Sequence, residues 1–395
     1  MMSRSAAGLL VVLTVGSAAV AASAVSRSPA GAHTAGVELL RIRSADIDFY
    51  EHRVAADPHG ALDRMRLGAL LLEQSRYTGD ERGLIRAESL ARESLALRTA
   101  HNAGTWRLLA SALLGQHRFT DALGASEELL AADPESPGAR AMRGEILLEL
   151  GRYPAADSVF GSLAVRRNDP AVSVRYARWL EIRGHAGEAR RLLEQARTEA
   201  ARGGAGADQL AWFDLRLGDL AIRYGDRTEA RERASQGLAV FPEDWRFLAL
   251  AARVELAEHR AKHAITLGDS SLALHLDPAT LATVGDAWLA EGDSAQAESY
   301  FKALEAAAGT APRGGFHRAW YLALLDHQRR VDRVLEAVTQ EIAVRPDVYG
   351  WDLLAWARYR SGKVEAAREA MDSALAVGTM DPQVLAHARA IREAP

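Results

Sequence analysis

His259 and His263 stand four residues apart, a spacing that puts two imidazoles on one helix face with Glu255 and Glu258 within a turn. Such a pair could begin a zinc site, but zinc needs a third ligand and groups that orient the ligands. The stretch also falls where the helical pattern breaks, so both histidines read as surface residues near a turn. His317, His327 and His387 are isolated in sequence. Gly203-Gly204-Ala205-Gly206 follows no strand and has no Lys-Ser or Lys-Thr after it, so it reads as a linker rather than a phosphate loop. The acidic residues are interleaved with arginine on what read as solvated faces. Cysteine is absent, which excludes disulfides, thiolate metal sites, thiol nucleophiles and Cys lipidation. No catalytic, metal or cofactor site is expected, and no block of sequence is left over for a catalytic domain.

The bulk properties agree. Hydrophobic residues make up 48% and charged residues 25% of the 395, enough apolar surface for a packed fold. Lys+Arg number 48 against 52 Asp+Glu, and this near-balance argues against a general nucleic-acid binder. Lysine occurs only at Lys262, Lys302 and Lys363.

The N-terminus carries the marks of export. Arg4 precedes an apolar run that opens with Leu9-Leu10-Val11-Val12-Leu13, and Ala22-Ser23-Ala24 is a small-residue cleavage pattern. Ala6 to Val25 gives about 20 weakly polar residues, just enough to cross a bilayer. Its Ala, Ser and Gly content favours a cleaved signal over a retained anchor. Residues 1–24 are therefore expected to be a signal peptide or signal anchor and 25–36 a flexible linker, with the remainder periplasmic or extracellular. Membrane association would come only through residues 6–25.

From Val37 onward, helix formers carry apolar residues at three- and four-residue spacing, without a sustained strand pattern. Small residues form a ladder: Ala110, Gly144, Ala177, Gly218, Ala252, Gly285 and Ala355. Each is followed 12 residues later by alanine, at Ala122, Ala156, Ala189, Ala230, Ala264, Ala297 and Ala367. Successive rungs lie 34, 33, 41, 34, 33 and 70 residues apart, the last being two repeats of 35. Antiparallel helices cross closely only where the side chains at the crossing are small. Phe160 and Phe301, one turn beyond Ala156 and Ala297, can plug the gap beside it. Asp57-Pro58, Asp133-Pro134, Asp169-Pro170, Asp277-Pro278 and Asp381-Pro382 are expected to start helices, with Asp as cap and Pro in the first turn.

Together the Trp, small residue, aligned alanine, Phe and closing Pro resemble the tetratricopeptide repeat, most closely over Trp106 to Pro134 and Gly285 to Phe301. The resemblance implies an all-α, right-handed superhelical solenoid of antiparallel helix pairs. Residues 37–57 would be a helix closing one end, 58–381 about nine repeats, and 382–395 a capping helix. The first repeat carries an insertion at Tyr77 to Gly83, and the segment around Gly203 is a candidate hinge.

In this family first helices line a concave groove, and the residue after the small one points into it. That implied stripe includes Glu145, Arg178, Asp219, Arg253, Asp286 and Trp356. The positions four after the small residue give a mostly apolar lane that includes Leu114, Leu148, Glu181, Ile222, Leu256, Leu289 and Tyr359. Tyr349, Asp352, Trp356 and Tyr359 gather near the C-terminus, with Trp212 as a mid-array aromatic; aromatics and arginine are the usual anchors of interfaces. The expectation is a protein-binding scaffold or adaptor that holds a partner segment in the groove. The alternative is a superhelix binding a glycan or peptide on the C-terminal aromatics. Asn102 and Asn168 are the only asparagines and neither falls on the stripe, so a Lys-Asn-Arg carboxylate clamp is not expected.

Overall fold

The computed structural model describes residues 30–310 and 318–395. The expected signal segment, residues 25–29 of the expected linker, and His317 lie outside the described residues. Helix α1 (Ala30–Ala56) is followed by pairs α2 (Ala61–Thr78) with α3 (Glu81–Leu97), α4 (Ala103–Gly115) with α5 (Phe119–Ala132), and α6 (Pro137–Glu149) with α7 (Tyr153–Ser162). Next come α8 (Pro170–Ile182) with α9 (Ala186–Arg202), α10 (Ala207–Arg223) with α11 (Arg227–Val240), and α12 (Trp245–Ala257) with α13 (Ala261–Leu274). The series ends with α14 (Pro278–Ala290) and α15 (Ser294–Thr310), α16 (Arg318–Asp326) and α17 (Val331–Glu341), α18 (Val348–Arg360) and α19 (Val364–Leu375), and the single helix α20 (Pro382–Glu393). Each helix packs mainly on its neighbours in the chain, and the described residues contain no strand. The molecule is an α-α superhelical solenoid.

The small-residue ladder does what its spacing implies. All seven aligned alanines are at most 1% exposed, and the facing Ala110, Ala177, Ala252 and Ala355 are equally buried. At the glycine rungs the second helix presses closer still. A Cβ on Gly144 would lie 2.8 Å from the Phe160 ring, and one on Gly285 2.4 Å from Phe301. Phe160 also reaches the next pair, with its ring 5.7 Å from Trp179 and 5.9 Å from Tyr176. The glycine thus seats a Phe that joins two repeats, and truncating a ring so buried costs about 3–5 kcal/mol.

Seven residues after each rung the chain turns through a left-handed residue: Gly151, Gly184, Gly225, Gly292 and Gly362, but His117 (φ 57°) and His259 (φ 59°) in two repeats. Asp169, Asp277 and Asp381 cap α8, α14 and α20 with Pro in the first turn, accepting from Ala171 N, Thr280 N and Gln383 N. Two of the expected starts are displaced. α6 begins at Ser136-Pro137, with Ser136 as cap, while Asp133 ends α5. Asp57 opens the turn after α1 by accepting from His59 N, and α2 starts at Ala61. A downstream Ser-Pro offers an equivalent cap to α6, and α2 starts after Gly60 without a side-chain cap.

Two other boundaries differ. The expected linker is helical from Ala30, because α1 packs not only on α2 but on α10 and α11. Gly36 is buried there, and a Cβ on it would come within 2.2 Å of the Val240 carbonyl oxygen. Tyr77 to Gly83 is no loop insertion: α2 simply runs on to Thr78, and Asp80 caps α3 by accepting from Arg82 N.

The superhelix is wound tightly enough for its turns to touch. Trp245 Nε1 donates to Tyr77 O at 3.1 Å and Arg246 Nη1 to Arg76 O at 2.7 Å, across 168 and 170 residues. Farther along, Val348 N donates to the Tyr153 hydroxyl at 2.6 Å and Arg183 Nη1 to Val377 O at 2.8 Å, across 195 and 194 residues. The turn glycines serve this seam as well. A Cβ on Gly151 would lie 2.4 Å from Pro346 O, and one on Gly184 2.6 Å from Gly378 O. Neighbouring helices meet through apolar cores, whereas these hydrogen bonds across the seam run from polar donors to backbone or hydroxyl oxygens.

Candidate functional site

Winding the first helices around one axis leaves a central cavity of about 720 Å³. Its lining mixes apolar residues, among them Leu276, Pro278, Ala319, Trp320, Leu322 and Leu353, with charged and polar ones. Of the latter, Glu149 comes from α6, Arg178 from α8, Arg223 from α10 and Tyr349 from α18, with Arg345 and Asp381 just before α18 and α20.

Glu181 organises two of these charged residues, Arg178 and Arg223. It occupies a lane position that holds Leu148 in α6 and Ile222 in α10, yet its side chain is only 1% exposed. Arg178 reaches it at 3.3 Å, Arg223 at 2.9 Å, and Arg216 closes a third ion pair. Burial alone would raise its carboxyl, but Arg178, Arg216 and Arg223 outweigh it and lower the pKa to about 2. The network then crosses to the C-terminal repeats. Arg178 Nη1 donates to the Tyr349 hydroxyl at 3.3 Å with its guanidinium over the ring, the Tyr349 hydroxyl donates to Asp381 at 3.4 Å, and Arg223 pairs with Asp381 at 3.3 Å.

A second cluster lies where α17 meets α18. Arg318 holds Asp347 through both terminal nitrogens, at 2.6 and 2.5 Å, and Glu341 at 3.3 Å. Arg345 pairs with Asp347 at 3.0 Å and with Glu149 of α6. One carboxylate oxygen of Glu341, Oε2, is buried without a hydrogen bond. Burial pushes the Glu341 carboxyl up to about 7 despite Arg318 and Arg345.

The charged residues of the expected stripe are engaged by neighbouring repeats. Glu145 accepts from Arg175 of the next repeat at 2.8 Å, and Asp219 pairs with Arg253. Asp286 faces His327 at 3.7 Å. Of the stripe and its C-terminal aromatics, Arg178, Tyr349 and Asp352 converge on the central cavity.

Trp356 requires a correction. It is 9% exposed, stacked on His387 of α20 at 4.1 Å and on Tyr359 at 5.1 Å, and its Nε1 donates to Asp326 at 2.8 Å. Asp352 is buried too and bonded to His387 Nδ1 at 2.9 Å. The final helix thus covers the aromatic cluster, which packs the array's end and offers no open stacking platform; Tyr359 is half-buried within it. Trp212 is half-buried beside a different pocket. Glu149, Arg318 and Arg345 were not foreseen. The one available signal was Glu181 itself, an acid in a lane otherwise apolar up to Tyr359.

Among the described residues, no three His, Cys, Asp or Glu side chains are grouped to hold a metal. His259 sits in the turn after α12, and His263 is 3.7 Å from Glu255. No helix of the described residues is long and apolar enough to cross a membrane.

The model of the tetratricopeptide repeat family matches residues 107–157 and 215–279. No curated protein matches the sequence. Among solved structures, the chain is similar to the APC/C hetero-tetramer Cut9-Hcn1 with a TM-score of 0.50 and 16% identity, over 84% of this chain and 63% of that one. It is also similar to PilW, a widely conserved type IV pilus biogenesis factor, with a TM-score of 0.44 and 18% identity, over 53% of this chain and 96% of that one. A human IFIT1 dimer with m7Gppp-AAAA gives 0.46 and 14%, over 87% and 86%. The Cut9-Hcn1 likeness concerns the fold, and the chain spans under two thirds of that relative's length. The fold class is a tetratricopeptide-type solenoid, an all-α superhelix of antiparallel helix pairs.

Proposed function

We propose that this chain is a non-catalytic adaptor that works outside the cytoplasm and holds a segment of a protein partner in its central cavity. The observation that carries the reading is the mixed lining of the cavity of about 720 Å³, which joins apolar Leu276, Trp320 and Leu322 with Arg178, Arg223 and Tyr349. An extended peptide has apolar side chains and a polar backbone, and such a cavity meets both. The export-like N-terminus supports the location.

Ala319 lines the cavity and is exposed, so Ala319→Trp fills it without touching the helix-pair cores. Immobilised wild-type protein should capture a defined partner from envelope extract, and the Ala319→Trp protein should not, with unchanged helical circular dichroism. Equal capture by both proteins would place binding elsewhere. Sequencing the N-terminus of the mature protein tests the location; an intact Met1 in the cytoplasmic fraction would overturn it.

A further inference from the structure

A separate pocket of about 460 Å³ opens where α1 and α2 meet α10 and α12, between successive turns of the superhelix. Three arginines face it: Arg43, Arg76 and Arg246. Two of them are spoken for. Arg43 pairs with Asp208 and approaches Glu73 at 3.8 Å. Arg246 forks onto Asp244, with Nε at 2.9 Å and Nη2 at 2.6 Å, and gives its remaining nitrogen to the backbone carbonyl of Arg76.

Arg76 is different. Its carbonyl is used, but its guanidinium makes no hydrogen bond or ion pair with any described residue. The surrounding walls and Arg175 push its pKa down, against the weaker pull of Glu145 and Glu73. Glu145 is already bonded to Arg175 at 2.8 Å, and Glu73 leans toward Arg43. A guanidinium stays ionised throughout the working pH range, so Arg76 is an exposed, pocket-lining cation whose two nearby carboxylates, Glu73 and Glu145, are engaged by other arginines. The rest of the lining is Glu73 and Asp208, the carboxylates facing Arg43, with Gln209, Ala211 and three aromatic side chains. Trp212 is half-buried there, and Tyr77 and Phe241 lie 5.6 Å apart ring to ring.

We propose that this inter-turn pocket binds an oxyanion carried on an aromatic or apolar body, with Arg76 receiving the anion and Trp212 flanking the body. A carboxylate and a phosphate share the chemistry, since both match the fork of a guanidinium. The site is independent of the central cavity and does not rest on the adaptor reading.

The test is a titration of the purified full chain with benzoate, phenyl phosphate and inorganic phosphate, followed by tryptophan fluorescence and calorimetry. Saturable millimolar or tighter binding is expected for benzoate or phenyl phosphate, and the tighter of the two names the anion. Arg76→Gln should weaken it about tenfold, as losing one charge-assisted pair does, while Arg333→Gln on an exposed face should not. Because the Arg76 side chain bonds none of the described residues, Arg76→Gln should keep its helicity and Tm. Inorganic phosphate binding as tightly as phenyl phosphate would overturn the role of the aromatic wall. Absence of saturable binding, or equal binding in Arg76→Gln, would overturn the site.

Discussion

Arg345 Nε donates to the backbone carbonyl of Glu149 at 2.9 Å, although 196 residues of chain separate the two. Its Nη2 also pairs with the Glu149 carboxylate, and its guanidinium lies 4.1 Å from the Phe119 ring centroid. One buried side chain therefore joins the third helix pair to the start of the ninth.

Arg345→Ala should unfasten this stretch of seam while leaving every helix pair its own core. The expected cost is about 2 kcal/mol, the scale of a charge-assisted hydrogen bond lost with its partner left behind. Small-angle scattering should report a larger radius of gyration in the variant, and in the wild type at high salt, with unchanged circular dichroism. An identical radius under both conditions would show that the turns are held by something else.

Glu181→Ala leaves Arg178, Arg216 and Arg223 facing one another around an empty centre. Removing one member of a buried ionic cluster costs about 3 kcal/mol or more, so a drop of that size is expected in urea unfolding. In the wild type the Glu181 carboxyl is lowered to about 2, below its unfolded value. Its contribution is therefore full above the unfolded pKa and is lost as the pH falls toward 2. The variant should lack that part of the acid-induced decline.

Glu341 works with the opposite sign. Its folded pKa of about 7 lies above the model-peptide 4.5, so between those values the folded chain binds the extra proton. Stability should rise as the pH is lowered through 7 toward 4.5, by on the order of 2 kcal/mol from this group. Glu341→Gln keeps an acceptor for Arg318 and should flatten that slope. An unchanged slope in the variant would assign it to another group.

His259 holds the left-handed turn position that glycine holds in five other repeats. A non-glycine residue there pays about 1–2 kcal/mol of backbone strain, and glycine recovers it minus roughly 0.5–1 of chain entropy. His259→Gly should therefore raise stability by about 0.5 kcal/mol, and Gly292→Ala should lower it by about 1. Reversed signs in thermal melts would refute the strain argument.

Much of the architecture was legible because it is local and periodic. Ala122 or Ala297 repeats in phase with its partner, and a crossing helix pair demands small residues at that interval. The inner face was only half legible. Glu145, Asp219 and Arg253 could be placed by register, but their partners depend on how adjacent repeats twist. Trp356 shows the limit most clearly: its register suggested the groove, and only the docking of α20 puts His387 over it. Arg345 and Glu149 meet because of the superhelical pitch, which sums small rotations over the intervening helix pairs and leaves no mark at either residue.

The N-terminal helix has a consequence for how the array can change. A solenoid of purely neighbour-coupled repeats can gain or lose a unit anywhere and can fray from its ends. Here α1 is seated on α10 and α11 through buried Gly36 and the Arg43–Asp208 pair, so the intervening helix pairs form a closed ring of contacts. Inserting or deleting one pair within that ring would carry α1 off its seat. The number of helix pairs between α1 and α10 is thus fixed by closure, and α1 is expected to melt together with α10 and α11 instead of fraying alone.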